Sequence, residues 1–388
     1  MAYTPVPESI VSPVAPYRVL SVFGTRPEAI KMAPLVKALE AEPTWFTSRV
    51  CVTAQHREML DQVLSLFHIT PDADLNVMKP NQDLYQITSA VLLGMRDVLQ
   101  AEQPDMVLVH GDTTTTLATS IACFYERIPV AHVEAGLRTF DMENPFPEEL
   151  NRWVTDTISA IHFAPTEESA QHIHNTLPQA KNVVVTGNSV IDALFYTIEH
   201  ADPGPAVATV LNSLQEGQRL LVCTTHRREN FGDPLKEILT GLETLLTQFP
   251  DTVLAIPVHP NPNVKTLVEE RFGTHPQVHL LKPLEYPDFC HLMRAATLIL
   301  TDSGGVQEEA PSLGKPVLVL RDTTERPEAV AMGTVKLVGP HADAIVREAS
   351  ELLSNPDAYA AMANRVNPYG DGNACQRMIG HLKALLPL

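Results

Sequence analysis

Arg18-Val-Leu-Ser-Val-Phe23 predicts a buried β-strand, because the run is short and apolar and contains β-branched residues. An amphipathic pattern over residues 27–40 predicts a helix, and Arg49-Val-Cys-Val-Thr53 predicts a second strand. Strands that alternate with helices are typical of βαβ units, in which the strands lie parallel in one sheet. The start of the chain therefore indicates an α/β fold.

The same alternation continues along the whole chain. Further strands are predicted at residues 106–110, 128–133, 160–164, 182–186, 219–224, 253–258, 278–282, 297–301, 317–320 and 335–338. A polar stretch from Glu199 to Pro205, with two prolines and a glycine, interrupts the pattern before it restarts at Arg219. We place a domain boundary at this interruption.

The predicted architecture is two doubly wound, Rossmann-like α/β domains that face a central cleft. A length of 388 residues fits two large domains, because one domain takes about 150 residues. The expected segments are a disordered tail (1–16), an N-terminal domain (17–198), a linker (199–217), a C-terminal domain (218–370) and a C-terminal helix packing back on the N-terminal domain (371–388).

The charge balance argues against nucleic acid as a partner. Lys and Arg total 28 and Asp and Glu total 46, which gives a formal net charge of −18. Proteins that bind phosphate backbones usually carry a basic face instead.

Membrane and secretion signals are not apparent in the sequence. No stretch approaches the roughly 20 uninterrupted apolar residues of a membrane helix, and residues 1–16 do not resemble a signal peptide. The five cysteines are odd in number and scattered, which is typical of reduced thiols. We expect a cytoplasmic protein that does not span a membrane.

A glycine turn in the second half predicts a phosphate site. Leu300-Thr-Asp-Ser-Gly-Gly-Val-Gln-Glu-Glu-Ala310 runs from a strand end through two glycines into a helix. Glycines let an anion approach backbone N–H groups at a helix start, although a tight turn can need glycine for steric reasons alone. The first turn, Phe23-Gly-Thr-Arg-Pro-Glu28, lacks G-x-G-x-x-G, which disfavours a nicotinamide-dependent oxidoreductase.

Clustered positive charges follow other predicted strands. Thr225-His-Arg-Arg-Glu-Asn230 is one such cluster, and Thr25-Arg-Pro-Glu-Ala29 is echoed by Glu325-Arg-Pro-Glu-Ala329. Each of these two similar stretches predicts the start of a helix with an arginine just outside it. We interpret these groups as anion clamps; the alternatives are a solvated charge run and a common capping pattern.

Acidic groups concentrate at strand ends of the first half, in His110-Gly-Asp112, His132-Val-Glu134 and the loop Phe146-Pro-Glu-Glu149. The two His-x-acid pairs lack further ligands at a clear spacing, which disfavours a metal site. Asp112 precedes four threonines and could be a helix N-cap. A cap can also be a catalytic carboxylate.

The chain closely resembles bacterial UDP-N-acetylglucosamine 2-epimerases of the non-hydrolysing type. The resemblance extends from about Arg18 to the final helix. It is carried by Phe23-Gly-Thr-Arg-Pro-Glu-Ala-Ile-Lys-Met-Ala-Pro34, Thr53-Ala-Gln-His-Arg-Glu58, His132-Val-Glu-Ala-Gly-Leu-Arg-Thr139, Thr225-His-Arg-Arg-Glu-Asn230 and Asp302-Ser-Gly-Gly-Val-Gln-Glu-Glu-Ala-Pro311.

The resemblance implies a glycosyltransferase-B-like fold, a homodimer, and reversible epimerisation of UDP-GlcNAc to UDP-ManNAc without a cofactor or metal. The product would supply ManNAc units for surface polysaccharide. Residue matching implies catalytic roles for Asp112, Glu134, Glu148 and His226, without dividing the carboxylates between the two faces of the sugar. It implies substrate binding by Arg26, Lys31, Phe289, Ser303, Gly304, Gly305, Glu309 and Arg326.

The resemblance also implies an activator site for a second UDP-GlcNAc, at Gln55, Glu148, Arg227 and His259. The sequence departs from the family pattern at Glu58 and Asn81, where Gln and Arg are expected, and at Leu284, where Gln is usual near the uracil. Three alternatives to the non-hydrolysing epimerase remain: a hydrolysing 2-epimerase that releases ManNAc and UDP, a glycosyltransferase of the same fold, and a nucleotide-sugar sensor.

Overall fold

The computed structural model describes residues 3–6, 13–54, 57–79 and 81–386. The chain divides into two compact units. Unit 1 consists of two segments, one that ends at Tyr196 and one that begins at Tyr369. Unit 2 consists of Thr197–Pro368.

Each unit is built around one parallel sheet. The strands of unit 1 are β1 (Tyr17–Phe23), β2 (Phe46–Val52), β3 (Ala73–Asp74), β4 (Met106–His110), β5 (Val130–Val133), β6 (Ile161–Ala164) and β7 (Val183–Val185). The strands of unit 2 are β8 (Arg219–Thr224), β9 (Thr252–Pro257), β10 (Val278–Leu281), β11 (Leu298–Thr301), β12 (Val317–Val319) and β13 (Val335–Leu337).

Helices connect the strands in both units. They are α1 (Arg26–Glu40), α2 (Arg57–Leu66), α3 (Leu84–Glu102), α4 (Thr114–Glu126), α5 (Glu148–Ile158), α6 (Glu167–Thr176), α7 (Ser189–His200), α8 (Pro205–Ser213), α9 (Asp233–Gln248), α10 (Pro262–Phe272), α11 (Tyr286–Ala295), α12 (Gly304–Glu309), α13 (Pro327–Ala331), α14 (Ala342–Ser354), α15 (Pro356–Ala363) and α16 (Ala374–Leu385). Among the residues that the structure describes, no helix is both long and apolar enough to span a membrane.

The two sheets share one strand order. The order is β3-β2-β1-β4-β5-β6-β7 in unit 1 and β10-β9-β8-β11-β12-β13 in unit 2. Both follow the doubly wound Rossmann order, in which the direction of winding reverses beside the first strand of the sheet. The reversal falls between β1 and β4 in unit 1 and between β8 and β11 in unit 2. The predicted pair of Rossmann-like α/β domains is confirmed; the two-residue strand β3 was not predicted.

Buried apolar side chains hold the strand ends in place. In unit 1, Val22 of β1 and Val109 of β4 pack with Met95 of α3 in one core cluster. In unit 2, Leu300 of β11 packs with Leu242 of α9 in a corresponding cluster. Since close-packed interiors resist small displacements, the residues that follow β1, β4, β8 and β11 start from fixed positions.

The segment expected to be a disordered tail makes defined contacts where the structure describes it. Thr4 donates its N–H to the Val185 carbonyl over 3.2 Å, and its Oγ1 accepts from Val185 N over 2.9 Å. The Tyr3 ring lies 3.4 Å from the Arg377 guanidinium carbon. Residues 3–6 thus lie along β7, whereas residues 1, 2 and 7–12 of the expected tail lie outside the described residues.

The segment expected to be a linker, residues 199–217, contains helix α8. Val207 and Val210 of α8 are buried, and the Gly204 N–H donates to Asp288 Oδ1 of α11 over 2.5 Å. The proline and glycine residues before α8 suggested a linker, but they mark the start of a helix that packs within unit 2.

Candidate functional site

The polar residues singled out in the sequence lie at the carboxyl ends of strands beside the reversal of strand order. In unit 1 they follow β1, β4 and β5, and in unit 2 they follow β8 and β11. These are the positions at which open α/β sheets bind ligands. The topology therefore gives each unit one candidate site.

Glu134 is the centre of the unit 1 site. It directly follows β5, is 8 % exposed, and has a positive φ of 62°. Its carboxylate forms an ion pair with Lys31 and accepts a 2.8 Å hydrogen bond from Asn188 Nδ2. Arg152 Nη2 lies 3.6 Å from Glu134 Oε1, and Arg152 Nη1 donates to the Glu134 carbonyl over 2.9 Å.

Glu134 is ionised at neutral pH. Burial by itself raises the pKa of this carboxyl, but the positive charges of Lys31 and Arg152 outweigh burial and hold the pKa well below its usual range. His110 Nε2 lies 3.8 Å from Glu134 Oε2. Burial lowers the pKa of His110 to about 3, so the ring is neutral beside the carboxylate. Neither ring nitrogen has a hydrogen-bond partner among the described residues.

Asp112 is held by helix α5. Arg152 Nη2 lies 2.6 Å from Asp112 Oδ2, and Asn151 Nδ2 donates to the Asp112 carbonyl over 2.7 Å. The alternative that Asp112 caps α4 is wrong, because Thr113 is the N-cap and its side chain accepts from Thr116 N. The Asp112 carboxylate is 28 % exposed, so a ligand can reach it.

Glu148 begins α5. With Arg152 and Asp156 it forms a stripe along one side of the helix, because residues four apart lie one turn above each other. Glu148 Oε2 is buried and has no hydrogen-bond partner among the described residues. A single helix thus carries one candidate catalytic acid and the arginine that binds the other two.

Arg26 and Lys31 both lie on α1. Thr25 caps this helix, and the Glu28 carboxylate accepts from Thr25 N over 2.7 Å and Gly24 N over 3.1 Å. Because Thr25 takes the cap position, Arg26 is the first residue of α1 rather than a residue just outside it. Lys31 lies further along the helix, where it reaches Glu134.

The unit 2 site is the turn between β11 and α12. Asp302 directly follows β11 and is fully buried. Its carboxylate accepts from Arg227 N over 2.9 Å and from Asn230 Nδ2 over 3.0 Å. Asp302 therefore secures the loop after β8 rather than facing a ligand. The turn continues through Ser303, Gly304 and Gly305 into α12, which is six residues long.

His226 is oriented by the same aspartate. Its Nδ1 lies 2.9 Å from Asp302 Oδ1. Burial raises the pKa of Asp302, but hydrogen bonds and the His226 ring outweigh burial and lower it. The ionised carboxylate only accepts, so His226 Nδ1 carries the hydrogen. The imidazole is 42 % exposed, and its Nε2 is the atom left to face a ligand.

Two guanidinium groups flank the glycine turn. A Cβ built on Gly304 would lie 3.8 Å from Arg326 Cζ and 4.0 Å from Arg227 Nη2. Arg326 is the N-cap of α13 and thus lies just outside that helix, as predicted from the sequence. Its Nε donates to Glu308 Oε1 over 2.5 Å. Positive charge and glycine backbone are therefore brought together here.

Glu309 closes the other side of this turn. Its Oε2 lies 3.8 Å from the position of a Cβ on Gly305, and its Oε1 accepts from the Tyr286 hydroxyl over 2.6 Å. Tyr286 begins α11, and Phe289 lies on the same side of that helix three residues later. Phe289 is half-buried, so one part of its ring can contact a flat ligand.

The residues predicted for an activator site are Gln55, Glu148, Arg227 and His259. Arg227 lies beside Gly304, whereas the His259 ring contacts the Asn261 N–H in the loop between β9 and α10. Gln55 lies outside the described residues. Across the described parts of the chain, no group of three or more His, Cys, Asp or Glu side chains has an arrangement suited to a metal ion.

Several residues at these sites were not predicted. Arg152, Asn188 and Tyr286 each hold a predicted residue in position. The signal for Arg152 was present, since it follows Glu148 by four residues on a helix. Asn188 and Tyr286 reach their partners through the fold, so no local pattern indicates them.

Comparisons with known proteins identify the family. A family model described as UDP-N-acetylglucosamine 2-epimerase matches residues 37–383. The UDP-N-acetylglucosamine 2-epimerase of Escherichia coli K12 is 52% identical over 370 residues, which cover 94% of this chain and 98% of that protein.

Solved structures agree with this match. The Neisseria meningitidis UDP-GlcNAc 2-epimerase bound to UDP-GlcNAc has a TM-score of 0.80 and 50% identity, covering 94% of this chain and 99% of that one. A structure from Listeria monocytogenes has a TM-score of 0.90 and 46% identity, covering 95% of this chain and 96% of that one. The predicted glycosyltransferase-B-like fold class is thereby confirmed. With matches of this extent added to the acids of unit 1 and the glycine turn of unit 2, the chain belongs to the UDP-N-acetylglucosamine 2-epimerase family.

Proposed function

We propose that this protein interconverts UDP-GlcNAc and UDP-ManNAc by inverting carbon 2 of the sugar. The observation that carries the proposal is the unit 1 cluster, in which Arg152 binds both Asp112 and the ionised Glu134. Acids at strand ends next to a buried neutral histidine are suited to proton transfer. The Neisseria meningitidis relative bound to UDP-GlcNAc supports the choice of substrate.

The proposed reaction begins with an elimination. A base removes the proton from carbon 2 while the bond from carbon 1 to the phosphate oxygen breaks, which gives a glycal and UDP. The oxygen of UDP then adds back to carbon 1, and a proton is delivered to the opposite face of carbon 2. Atoms and charge balance without an oxidant or a reductant. The reaction needs cationic groups for the leaving phosphate and acids for two proton transfers.

Unit 2 is proposed to bind the UDP. Backbone N–H groups of Ser303, Gly304 and Gly305 would face the diphosphate, with the Arg326 guanidinium beside Gly304. His226 Nε2 would donate to a phosphate oxygen. Charge-assisted hydrogen bonds of this kind are stronger than neutral ones. They would stabilise the charge that develops on UDP as it leaves.

The nucleoside part is proposed to lie toward α11. Glu309 would accept from a ribose hydroxyl, since Tyr286 already fixes the direction of its carboxylate. Phe289 would contact the uracil ring. Leu284, half-buried just before α11, offers no side-chain hydrogen bond to the base.

Unit 1 is proposed to act on the sugar. Asp112, Glu134 and Glu148 form the proton-transfer set, with Lys31 holding Glu134 ionised and Arg26 contributing positive charge for the substrate. A binding protein for an anionic ligand gains nothing from three acids, which argues against a nucleotide-sugar sensor.

We also propose a homodimer, a cytoplasmic location and an activator site for a second UDP-GlcNAc at Gln55, Glu148, Arg227 and His259. The five cysteines are buried and none of them forms a disulfide, which supports the location. The product would enter surface polysaccharide as ManNAc units. Light scattering would measure the mass in solution, and a sigmoidal dependence of rate on UDP-GlcNAc would report the activator.

Proton NMR of UDP-GlcNAc incubated with the protein in deuterium oxide tests the proposal. We expect UDP-ManNAc to appear with deuterium at carbon 2. Release of free ManNAc with UDP would show a hydrolysing 2-epimerase, which the names of the relatives do not favour. An unchanged substrate would contradict an epimerase and leave a transferase or a sensor, which addition of sugar acceptors would separate.

A further inference from the structure

Buried beneath Asp112 is a histidine that the proposed mechanism does not use. His132 is the third residue of β5, is fully buried, and pairs in register with His162 of β6. Its Nε2 lies 2.7 Å from the Gly111 carbonyl oxygen, and its Nδ1 lies 2.5 Å from Asp156 Oδ1. Both ring nitrogens therefore have a partner.

The partners determine where the hydrogens lie on this ring. A backbone carbonyl only accepts hydrogen bonds, and so does an ionised carboxylate. Asp156 is ionised, because Arg138 Nη2 donates to its Oδ2 over 2.5 Å. Burial raises the pKa of Asp156, but its contacts with His132 and with the Arg138 guanidinium outweigh burial and hold the pKa well below its usual range. Each nitrogen of His132 must then donate, which makes the ring an imidazolium.

Other charged and titratable groups around the ring are consistent with this state. Asp156 from α5 and Arg138 from the loop after β5 balance each other beside it. The His162 Nε2 donates to the Asp156 backbone carbonyl over 2.8 Å. His110 lies on the neighbouring strand β4 and is neutral. Asp156 Oδ1 therefore faces His132 Nδ1, while Asp156 Oδ2 accepts from Arg138.

The Gly111 carbonyl is the point through which His132 can act. Gly111 has a φ of +67°, a conformation that other residues rarely adopt. Its N–H donates to the Val133 carbonyl over 3.0 Å, while its carbonyl accepts from His132. Both peptide groups around Gly111 are thus fixed to β5, and the next residue in the chain is Asp112.

We propose that His132 is a positioning residue: as an imidazolium that donates to both Asp156 and the Gly111 carbonyl, it sets the direction in which Asp112 presents its carboxylate. Arg152 and Asn151 of α5 hold the other end of Asp112. Asp156 lies on the same helix, one turn beyond Arg152. His132 therefore links α5 to the peptide before Asp112. The inference rests on the proposed epimerisation for its kinetic readout only.

Two substitutions of His132 test separately its hydrogen bond to the Gly111 carbonyl and its hydrogen bond to Asp156. His132→Gln keeps an N–H group near the position of Nε2, where it can donate to Gly111. His132→Asn keeps an N–H group near the position of Nδ1, which faces Asp156 and does not reach Gly111. We expect His132→Asn to lower kcat by about 100-fold, the size of effect that a misplacement of about 1 Å produces. We expect His132→Gln to retain kcat within about tenfold of the native protein, because the Gly111 bond persists.

KM and UDP affinity should remain unchanged in both variants, since neither touches the proposed nucleotide site. His162→Gln is the matched control, because it changes the buried histidine at the paired strand position and leaves the Gly111 contact intact. Its kcat should equal that of the native protein. Equal losses in His132→Gln and His132→Asn, or a normal kcat in His132→Asn, would overturn the positioning role.

NMR of the native full-length protein tests the protonation of the ring without turnover. With ¹⁵N-labelled histidine, the His132 signals are those missing from the His132→Gln spectrum. We expect both ring nitrogens to be protonated at pH 7. A neutral ring in either tautomer would overturn the inference. If the native protein fails to epimerise UDP-GlcNAc yet shows this imidazolium, the proposed function fails and the ring state stands.

Discussion

Unit 1 and unit 2 have the same strand order but place opposite chemistry at the point where that order reverses. Unit 1 brings together carboxylates, of which Glu134 is bound by Lys31 and Asp112 by Arg152. Unit 2 brings together a glycine turn and two guanidinium groups. The shared topology therefore determines where a site forms, whereas the side chains after each strand determine what the site can do.

The buried acids of the two units sharpen this contrast. Glu134 in unit 1 is bound by charged side chains, and one of its carboxylate oxygens faces the neutral His110. Asp302 in unit 2 is bound by two backbone N–H groups and by the Asn230 and His226 side chains of the loop after β8. Glu134 is therefore placed for proton transfer and Asp302 for holding a loop. Burial alone does not distinguish the two roles, but the partners do.

The largest expected effect is on the acids of unit 1. Asp112→Asn, Glu134→Gln and Glu148→Gln should each lower kcat by about 100- to 10,000-fold, because each removes a group for proton transfer. UDP affinity, measured by calorimetry, should be unchanged. Glu40→Gln, an exposed change on α1, is the control and should keep normal activity. Near-normal turnover in one of the three would remove that residue from the set.

The next effect concerns the glycine turn of unit 2. Gly304→Val should weaken UDP binding by about 10- to 100-fold, the range expected when one or two charge-assisted hydrogen bonds are lost. An added Cβ meets only ordinary contacts at 3.8 Å or more, so the fold should survive, as a thermal unfolding curve would show. Gly304→Ala should give a smaller loss. Unchanged UDP affinity in the valine variant would place the diphosphate elsewhere.

A third effect tests the buried neutral histidine of unit 1. The pKa of His110 is about 3 in the folded protein and about 6.5 when unfolded. Between these values the unfolded chain binds the extra proton, so His110 makes the fold less stable as pH falls below about 6.5. From pH 7 to pH 5 it should cost about 2 kcal/mol.

Urea unfolding at both pH values measures this cost. The free energy of unfolding should fall by about 2 kcal/mol less in His110→Asn than in the native protein over this interval. Carboxylates with lowered pKa values, such as Glu134, contribute to the free energy of unfolding, and this contribution is lost only at lower pH, where they become protonated. Identical pH dependence in the two proteins would show that the pKa of His110 is the same in the folded and the unfolded protein, which would contradict a buried neutral ring.

The smallest effect concerns the partner of Glu309. Tyr286→Phe removes the 2.6 Å hydrogen bond that orients the Glu309 carboxylate. It should weaken UDP binding about fivefold, a loss of the size of one hydrogen bond, because the ribose hydroxyl then meets a less well directed acceptor. The effect should disappear with a nucleotide that lacks the ribose hydroxyls. Tyr359→Phe, which removes a hydroxyl bonded to the Thr297 carbonyl in the same unit, should leave UDP affinity unchanged. An equal effect on both nucleotides would mean that Tyr286 does not act through the ribose.

The strands could be predicted from the sequence because the apolar pattern that indicates a strand lies within a few consecutive residues. Strand β4 was predicted with its observed bounds, and β11 to within one residue. Capping was harder to predict, since Thr25 and Thr113 compete with their neighbours for the cap position. For that reason α1 begins at Arg26 and not at residue 27, and the N-cap of α4 is Thr113 and not Asp112.

The contacts between distant residues could not be predicted from local patterns. Asn188 reaches Glu134 from the start of α7, and Tyr286 reaches Glu309 from α11. The contact between His132 and Gly111 crosses from one strand to the end of another. In each case the spacing along the chain carries no information, and only the order of the strands brings the partners together.

The contact of residues 3–6 with β7 has a consequence for self-association. β7 is the last strand of the unit 1 sheet, and a bare outer strand offers its backbone to any other extended chain. Thr4 already bonds to both backbone groups of Val185, and His381 Nε2 lies 3.1 Å from the Thr4 carbonyl. Thr4 thus covers the outer edge of the sheet at Val185. Removal of residues 3–6 would leave this edge open to the addition of another extended chain.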